Sequence, residues 1–444
     1  MRDTAPLTHR RVLNIAVPIV ISNATVPILG AVDTGVVGQM GQAAPIGAVG
    51  IGAIILTAIY WIFGFLRMGT TGLAAQALGR RDLPEVAALL SRALLIAGVF
   101  GVLLIVLRVP VFWGAFQLAP ASPEVEALAR SYMDIRIWSA PAAIAIYGIT
   151  GWLIAAERTR AVLVLQVWMN GVNIVLDLWF VLGLGWGVEG VAIATFIAEW
   201  SGLALGLWLC RAAFRQPDWR NAARVFDKTR LIQMSVVNGD ILIRSVLLQA
   251  AFVSFLFFGA GLGDVTLAAN QVLLQFLHIT AYALDGFAFA AEALVGQAVG
   301  SASVARLRQG ARLATVWALV SVVALALGFA LSGPWLIDTM TTAPDVRDAA
   351  RAYLPWMVVA PLLGVAAWML DGIFIGATRT RDMRNMMALS FLTYLVALAV
   401  LLPAFGNHGL WAAMMVMFVV RALTLAWRYP ALEASLAPAM GSSR

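Results

Sequence analysis

The amino-acid sequence predicts an all-α polytopic membrane protein whose twelve transmembrane helices form two parallel six-helix repeats. Three observations lead to this fold class. Of the 444 residues, 61% are hydrophobic and 12% are charged, whereas soluble domains are roughly 45–50% apolar and about 25% charged. Apolar segments long enough to cross about 30 Å of hydrocarbon recur along the whole chain. Short sequence matches also recur at one constant offset, close to half the chain length.

Twelve apolar segments have the length and composition of membrane-spanning helices. The first follows Arg10 and Arg11, as a signal peptide would, but it is longer than a signal sequence and contains Pro18, Pro27 and Asp33. We therefore expect it to be retained as the first span. The predicted spans are residues 11–40, 46–77, 88–110, 127–155, 161–183, 188–211, 231–258, 265–298, 311–333, 347–376, 384–404 and 409–429.

Basic residues fall on alternate connections between the spans, and this pattern predicts the orientation of the chain. They cluster at 80–81, 158–160, 211–230, 306–312 and 379–384, whereas the connections on the other side lack Lys and Arg. The positive-inside rule places both termini in the cytoplasm, and we expect a bacterial cytoplasmic (inner) membrane. Topology thereby accounts for the net charge of +7, so we expect no nucleic-acid partner.

Three sequence matches relate the first half of the chain to the second. QALG pairs with QAVG, ARSY with ARAY, and RTR with RTR, at residues 76–79 and 297–300, 129–132 and 350–353, and 158–160 and 379–381. Each pair is separated by 221 residues. Because each half contains six spans, both halves begin on the same side and are parallel repeats about an axis along the membrane normal. Such repeats are typical of transporters that bind substrate near the midplane between two halves.

The repeat also predicts the domain organisation. Residues 1–211 form an amino-terminal lobe with helices 1–6, and residues 231–444 form a carboxy-terminal lobe with helices 7–12. Residues 212–230 are polar and basic, and we interpret them as a cytoplasmic linker between the lobes.

A single aspartate, Asp177, interrupts the apolar segment NIVLDLWFVLG at residues 173–183. An aspartate at the centre of a membrane helix costs about 2.5–3.5 kcal/mol on the insertion scale, so it should face the bundle interior. Asn173 lies four residues earlier, on the same helical face. A carboxyl group in a low-dielectric cavity can take up and release a proton near neutral pH. A structural hydrogen bond to a neighbouring helix is the alternative interpretation.

Asp33 is a second acid within a span, and the same span contains Pro18 and Pro27. Proline bends a helix and leaves backbone carbonyls unpaired, and these can contribute to a polar cavity. At the offset of 221 residues, neither Asp33 nor Asp177 corresponds to an acid in the second half. The two halves therefore carry different charges on one scaffold, which suggests that ion coupling and substrate handling are separated.

The second half carries its own polar residues within the spans, and we interpret them as a polar network. Asp240 and Arg244 are spaced i, i+4, so they can form a pair that either locks helices together or lines a cavity. Asp285 and Glu292 are seven residues apart on nearly one helical face, and Asp371 follows in the tenth span. Three further charged residues are interpreted as interhelical partners or interface residues, namely Arg67, Arg136 and Glu199.

The sequence excludes several kinds of site. The chain has one cysteine, Cys210, so it can form neither an internal disulfide nor a cysteine-based metal site. A Walker A loop requires Gly-Lys, whereas Lys228, the one lysine, follows Asp227. The three histidines are scattered and form no metal set. We therefore expect no cofactor, and an ion gradient is the remaining energy source.

Several of these segments resemble a known family. PILGAVDTGVVGQMG at 27–41 and NIVLDLWFVLG at 173–183, within twelve spans in two halves, resemble the multidrug and toxic compound extrusion (MATE) transporters. NGDILIRSVLLQ at 238–249 and ALDGFAFAAEALVGQAVG at 283–300 are similar to the DNA-damage-inducible (DinF-like) branch. The resemblance implies a V-shaped, outward-open arrangement of two lobes and cation-coupled efflux.

The resemblance also implies functional residues. Asp371 resembles the tenth-span aspartate of the sodium-linked branch, and Pro18 matches the helix-bending proline of the family. The residues of a cation site in the amino-terminal lobe match Asp33, Asn173, Asp177 and Thr195.

We therefore expect a secondary active antiporter that exports amphipathic, often cationic, organic compounds in exchange for protons. Na+ at the Asp33–Asp177 site is the alternative coupling ion. The expected partners are small-molecule substrates and the lipid bilayer, and we expect a monomer. A flippase for lipid-linked saccharides is the alternative function, but membrane-embedded acids outnumber the bases that a phosphate would require. An enzyme is not expected, because the spans contain no assembled catalytic set.

Overall fold

The computed structural model describes residues 7–39, 43–118 and 121–436, and every regular element in these ranges is helical. The α-helices are α1 (His9–Ala24), α2 (Val26–Gly38), α3 (Ala43–Trp61), α4 (Gly64–Gly79), α5 (Leu83–Val106), α6 (Arg108–Leu118), α7 (Pro123–Arg136), α8 (Ala140–Ala155), α9 (Thr159–Asp177), α10 (Gly187–Leu209), α11 (Arg211–Phe214), α12 (Ala222–Val225), α13 (Lys228–Ala260), α14 (Asp264–Gly300), α15 (Val304–Met340), α16 (Pro344–Gly376) and α17 (Thr380–Ala434). Two 3-10 turns and one π-helical turn complete the set, at Ile137–Ser139, Pro217–Arg220 and Leu178–Gly183.

The described residues contain the twelve predicted spans. Eleven helical runs are long and apolar enough to cross a bilayer. The last of them, α17, has 55 residues and is interrupted at Gly406, where φ is 56° and ψ is −131°. Glycine adopts this conformation without steric cost, and it divides α17 into two spans at the predicted connection 405–408. The all-α polytopic fold class is therefore confirmed.

The first span is interrupted between α1 and α2. Pro18 lies inside α1, which continues to Ala24, and the interruption falls at Thr25. The hydroxyl of Thr25 donates to the carbonyl oxygen of Ser22 at 2.7 Å. Pro27 then lies at the start of α2, where proline is well tolerated because the first N–H groups of a helix have no intrahelical acceptor. The sequence of this span thus accounts for a helix in two parts.

The sequence repeat is also a repeat of backbone conformation. Among the described residues, four other than glycine have positive φ, and they form two pairs at the offset of 221: Arg81 (61°) with Ala302 (51°), and Glu157 (56°) with Thr378 (51°). Each of them follows the end of a membrane helix, where a left-handed residue closes the last turn. The internal repeat is therefore confirmed in the described part of the chain.

Glycines at equivalent positions allow close helix contacts. A Cβ on Gly79 would clash with the carbonyl oxygen of Gln297, and a Cβ on Gly300 would clash with the carbonyl oxygen of Gln76. The two contacts are reciprocal, because Gly79 and Gln76 correspond to Gly300 and Gln297 at the offset of 221. The carboxyl ends of α4 and α14 therefore pack backbone against backbone, which a larger residue would prevent.

Packing divides the chain into two compact units. The larger unit contains the described residues up to Val20, residues Thr71–Arg81, and the residues from Gln233 onward. The smaller unit contains Ile21–Thr70 and Asp82–Ile232. This division departs from the predicted lobes, because the first part of α1 and the end of α4 pack with the spans of the second half. The predicted linker 212–230 packs with the smaller unit, where Arg92 of α5 donates to the carbonyl oxygen of Val225 at 2.9 Å.

We predict that Gly79→Ala lowers the thermal unfolding midpoint of the purified protein. The added methyl group would collide with the backbone of Gln297, and overpacking of this kind costs about 1–3 kcal/mol. Gly328→Ala is the matched control in the same unit, since nothing lies within 4 Å of a Cβ at Gly328 and alanine is the better helix former. Equal midpoints for the two variants would contradict the close contact.

We predict that Cys210 does not react with maleimide at neutral pH. The Cys210 side chain is fully buried, so the reagent does not reach the sulfur in the native protein. Denaturation in detergent should restore labelling between about pH 7 and pH 9, since a free thiol has a pKa of about 8.5.

Ser435→Cys is the exposed control for this experiment. It should react in the native protein, and only from the cytoplasmic side of the membrane with an impermeant reagent. Rapid native labelling of Cys210, or labelling of Ser435→Cys from outside, would contradict the burial or the orientation respectively.

Candidate functional site

Two carboxyl groups face each other inside the smaller unit. Asp33 lies on α2 and Asp177 is the last residue of α9, and their carboxyl groups interact with each other. Asp177 is fully buried. Among the described residues, no N–H or O–H group donates to Asp33 Oδ1 or to either oxygen of Asp177. Two ionised carboxylates in a low-dielectric setting repel each other, so a proton or another cation would stabilise this arrangement.

The local structure after Asp177 is unusual for a membrane helix. Helix α9 continues into the π-helical turn Leu178–Gly183, in which the N–H of Leu184 donates to the carbonyl oxygen of Trp179 at 2.9 Å. Such wide turns occur mostly as single insertions and frequently lie at functional sites. Asp177, the single acid of the apolar segment at residues 173–183, therefore lies next to a helix irregularity.

Asn173 and Thr195 belong to the same region. Asn173 is buried one turn before Asp177, and its Nδ2 donates to Thr195 Oγ1 on α10 at 3.2 Å. The Thr195 hydroxyl in turn donates to the carbonyl oxygen of Val191 at 3.0 Å. Asn173 Oδ1 receives no hydrogen bond from the described residues. The structure thus places all four residues of the expected cation site in one unit, on α2, α9 and α10.

A guanidinium group lies near the two acids. Arg136, at the end of α7, acts electrostatically on both Asp33 and Asp177. It forms an ion pair with Glu199 of α10 at 2.9 Å and donates to the Tyr132 hydroxyl at 2.7 Å. The interpretation of Arg136 and Glu199 as interhelical partners is therefore confirmed, but the pair also belongs to the surroundings of the site.

Several charges surround the acid pair. Asp33, Asp177 and Glu199 supply three negative charges when ionised, and Arg136 supplies one positive charge. Arg67 is a further positive charge in this region, since it and Glu199 both act electrostatically on Tyr147. An uncompensated charge out of water costs several kcal/mol, so the charge state of each group depends on its neighbours.

Helix α9 also holds the interruption of the first span. Asn170 Nδ2 donates to Thr25 Oγ1 at 2.9 Å, and Gln166 Nε2 donates to Asn170 Oδ1 at 2.9 Å. Asn170 is seven residues before Asp177 and thus lies on nearly the same face of α9. The helix that ends in one acid of the pair is therefore hydrogen-bonded to the break that precedes the other acid.

The larger unit pairs its charged residues differently from the i, i+4 hypothesis. Asp240 accepts from Arg384 at 2.6 Å and from the Thr380 hydroxyl at 3.1 Å, whereas Arg244 is bonded to Asp371 of α16. The predicted Asp240–Arg244 pair is thus replaced by two interhelical pairs. The i, i+4 spacing permits a contact on one helix, but partners on other helices satisfy each charge here.

A buried cluster of two arginines and one aspartate forms around Asp371. Arg244 and Arg421 both contact its carboxylate, and the side chains of all three residues are less than one-tenth exposed. Arg421 was not among the predicted polar residues, although a lone arginine in the apolar segment 409–429 is the same kind of signal as the lone Asp177. Arg384 was predicted only as a marker of topology.

Asp285 and Glu292 both lie on α14, as predicted, but they differ in environment. Glu292 is buried, whereas Asp285 is half-buried, and each has an interacting partner. Gly286, next to Asp285, packs against the backbone of Ala16 in α1, two residues before Pro18. In the described ranges, the structure contains no group of three or more His, Cys, Asp or Glu side chains suited to a metal ion.

We predict that Asp240 couples energetically to Arg384 and not to Arg244. In a double-mutant cycle, Asp240→Asn combined with Arg384→Gln should be less destabilising than the sum of the single changes, by about 0.5–3 kcal/mol. The losses from Asp240→Asn and Arg244→Gln should add. Thermal unfolding of the purified variants measures both cycles, and the opposite pattern would restore the i, i+4 pair.

Comparison with known proteins identifies the family. Residues 18–179 and 241–401, one segment in each half, match the MatE family model. The chain is 39% identical to DNA damage-inducible protein F of Escherichia coli strain K12, over 94% of this chain and 91% of that protein. It is 25% identical to the probable multidrug resistance protein NorM of Rhizobium meliloti strain 1021, over 96% of this chain and 93% of that protein.

A solved structure shares the fold. The Vibrio cholerae MATE transporter VcmN in its bent form superimposes with a TM-score of 0.85 at 20% identity, covering 96% of this chain and 97% of that one. Twelve spans, a two-fold repeat and matches to one family model in both halves lead to the same assignment. The chain belongs to the MATE family of multidrug and toxin efflux transporters.

Proposed function

We propose that this protein is a secondary active antiporter that exports amphipathic, often cationic, organic compounds in exchange for protons. The observation that carries the proposal is the facing pair Asp33–Asp177, in which Asp33 Oδ1 and both oxygens of Asp177 lack donors among the described residues. An antiporter needs a group whose charge depends on the side to which it is open. A buried carboxyl pair has this property, because its neutrality depends on a mobile cation.

The energy available from such a site is sufficient for export. Each charge that moves down the gradient releases about 2.3 kcal/mol per 100 mV. Since about 1.4 kcal/mol corresponds to a factor of ten in concentration, one coupled proton sustains a gradient of an uncharged substrate of roughly fiftyfold per 100 mV. Exchange of one proton for a singly charged cation moves no net charge, so a cationic substrate needs two protons, one for each acid of the pair, for the same gain. Loss of the titratable group removes this contribution without removing the binding surface.

We propose that the first span transmits the change of charge. Protonation of Asp33 and Asp177 from the outer side removes their repulsion and lets α2 shift against α9. Asn170 ties α9 to the break at Thr25, so the shift acts on the bend of the first span, with Pro18 as the hinge within α1. In this cycle the bend expels the substrate, and the return of the empty transporter releases the protons to the cytoplasm.

Protons suit the site better than Na+. The carboxylate and amide oxygens of Asp33, Asp177 and Asn173 are hard ligands of the kind that alkali ions accept. A proton becomes part of an O–H···O hydrogen bond and needs no further ligands. Sodium coupling remains the alternative that the transport experiment distinguishes.

Helix α9, which carries Asp177, also offers an apolar surface for substrates. A groove of about 780 Å³ runs along α9 and is lined by apolar side chains and one glycine, among them Val164, Trp168 and Val175. This volume lies in the range of small-molecule sites. A surface with few polar groups selects loosely, by apolar area, which suits export of chemically diverse amphipathic compounds.

We further propose that the protein acts as a monomer in the bacterial inner membrane with both termini in the cytoplasm. Residues 1–211 and 231–444 are the two lobes of the transport cycle, joined by 212–230. The alternation of basic connections supports this orientation, and the family assignment favours an exporter over the flippase alternative.

We predict that Asp177→Asn and Asp33→Asn each abolish gradient-driven efflux while leaving a folded, membrane-inserted protein. Asparagine keeps the shape of aspartate and can still hydrogen-bond, but it cannot bind and release a proton. Asp134→Asn is the matched control, because it makes the same chemical change at a carboxylate that is 57% exposed. Its transport should equal that of the unmodified protein.

Proteoliposomes with independently imposed proton and sodium gradients measure this outcome. A fluorescent amphipathic cation serves as the substrate, and its movement is followed with each gradient alone. Efflux driven by the proton gradient is the expected result, and efflux driven by sodium alone would replace proton coupling with sodium coupling. Full transport by Asp177→Asn at normal expression would refute the coupling role of the pair.

A further inference from the structure

A pocket of mixed polarity lies in the larger unit between α15, α16 and α17, and we call it the α15 pocket. Its volume is about 620 Å³. One end is lined by Arg308, Arg312, Tyr429 and Glu433, and the rest is mostly apolar. The residues proposed for coupling lie in the smaller unit, so this pocket is separate from them.

The polar end of the α15 pocket carries excess positive charge. Arg308 forms a two-pronged ion pair with Glu433, at 2.8 and 2.7 Å, but its side chain remains 66% exposed. Arg312 lies one turn further on the same helix and has no ion pair or hydrogen bond with the described residues. The two arginines therefore have one carboxylate near them, and it is bonded to Arg308 alone. Like charges spaced i, i+4 repel each other. An anion between them would offset this repulsion.

The apolar part of the pocket continues as a stripe along α15. Val316 and Leu319 line the pocket itself, and Val323 and Leu327 follow at helical spacing with 47% and 59% exposure. Trp427, 73% exposed on α17, lies two residues before Tyr429. Exposed tryptophan and tyrosine are typical of the membrane–water interface. The charged end therefore lies at the level of lipid headgroups, and the stripe faces hydrocarbon.

We propose that the α15 pocket binds an anionic phospholipid of the cytoplasmic leaflet. The phosphodiester would lie between Arg308 and Arg312, where guanidinium groups donate to phosphate oxygens. One acyl chain would lie along Val316, Leu319 and the stripe beyond them. Basic pockets between membrane helices on the cytoplasmic side favour such headgroups. The choice of leaflet rests on the proposed orientation, whereas lipid binding itself does not rest on the transport mechanism.

Native mass spectrometry of the purified protein tests the proposal. The full chain is equilibrated with equal amounts of phosphatidylglycerol and phosphatidylcholine of identical acyl chains, and the bound lipid is measured. The unmodified protein should retain phosphatidylglycerol in preference to phosphatidylcholine. Arg312→Gln should lower that preference about fivefold, since one basic residue near the headgroup contributes about this factor. Leu319→Asn should lower the retention of both lipids.

Arg160→Gln is the matched control, because Arg160 is an exposed arginine at the start of α9 on the same predicted side and outside the pocket. It should leave the preference unchanged. An unmodified protein without preference, or equal losses from Arg312→Gln and Arg160→Gln, would overturn the proposal. So would complete displacement of phosphatidylglycerol by inorganic phosphate alone, because the pocket would then recognise the anion and not the lipid.

Discussion

The low dielectric of the hydrocarbon core is the constraint on which the rest of this structure depends. A charge in that environment costs several kcal/mol unless an opposite charge compensates it. Ion pairs between helices offset part of this cost, since Arg136 contacts Glu199 and both Arg244 and Arg421 contact Asp371. The pair Asp33–Asp177 differs from them, because two acids interact there. In the function proposed here, a mobile cation offsets the repulsion within this pair.

The two halves share a backbone and differ in charge. Left-handed caps at Glu157 and Thr378, and reciprocal close contacts at Gly79 and Gly300, recur at one offset. These features depend on main-chain geometry, which duplication preserves. Charged side chains are not bound by it, so the acid pair Asp33–Asp177 of the first half has no counterpart in the second half. The second half instead places Asp371 between two arginines.

Helix α9 connects the chemistry of the site with the shape of the first span. It presents Asn170 to the break at Thr25, Asn173 to Thr195, and Asp177 to Asp33. One helix thus carries one acid of the pair and is also hydrogen-bonded to the first span at Thr25. A wide turn after Asp177 gives the end of this helix room to adjust, because its hydrogen bonds are already displaced from the regular pattern.

The sequence alone determined the membrane class, the twelve spans, the repeat and the acids in apolar segments, because each follows from local composition and periodicity. Asp177 could be singled out since a carboxylate is costly in any apolar helix. The tertiary structure decided which groups meet. It joined Asp240 to Arg384 instead of Arg244, added Arg421 to Asp371, and tied Thr25 to Asn170. Each of these contacts joins two different helices. The partners are 144 positions apart for Asp240 and Arg384, 145 for Thr25 and Asn170, and 50 for Asp371 and Arg421. Local periodicity describes one helix at a time, so it cannot rank partners that only packing brings together.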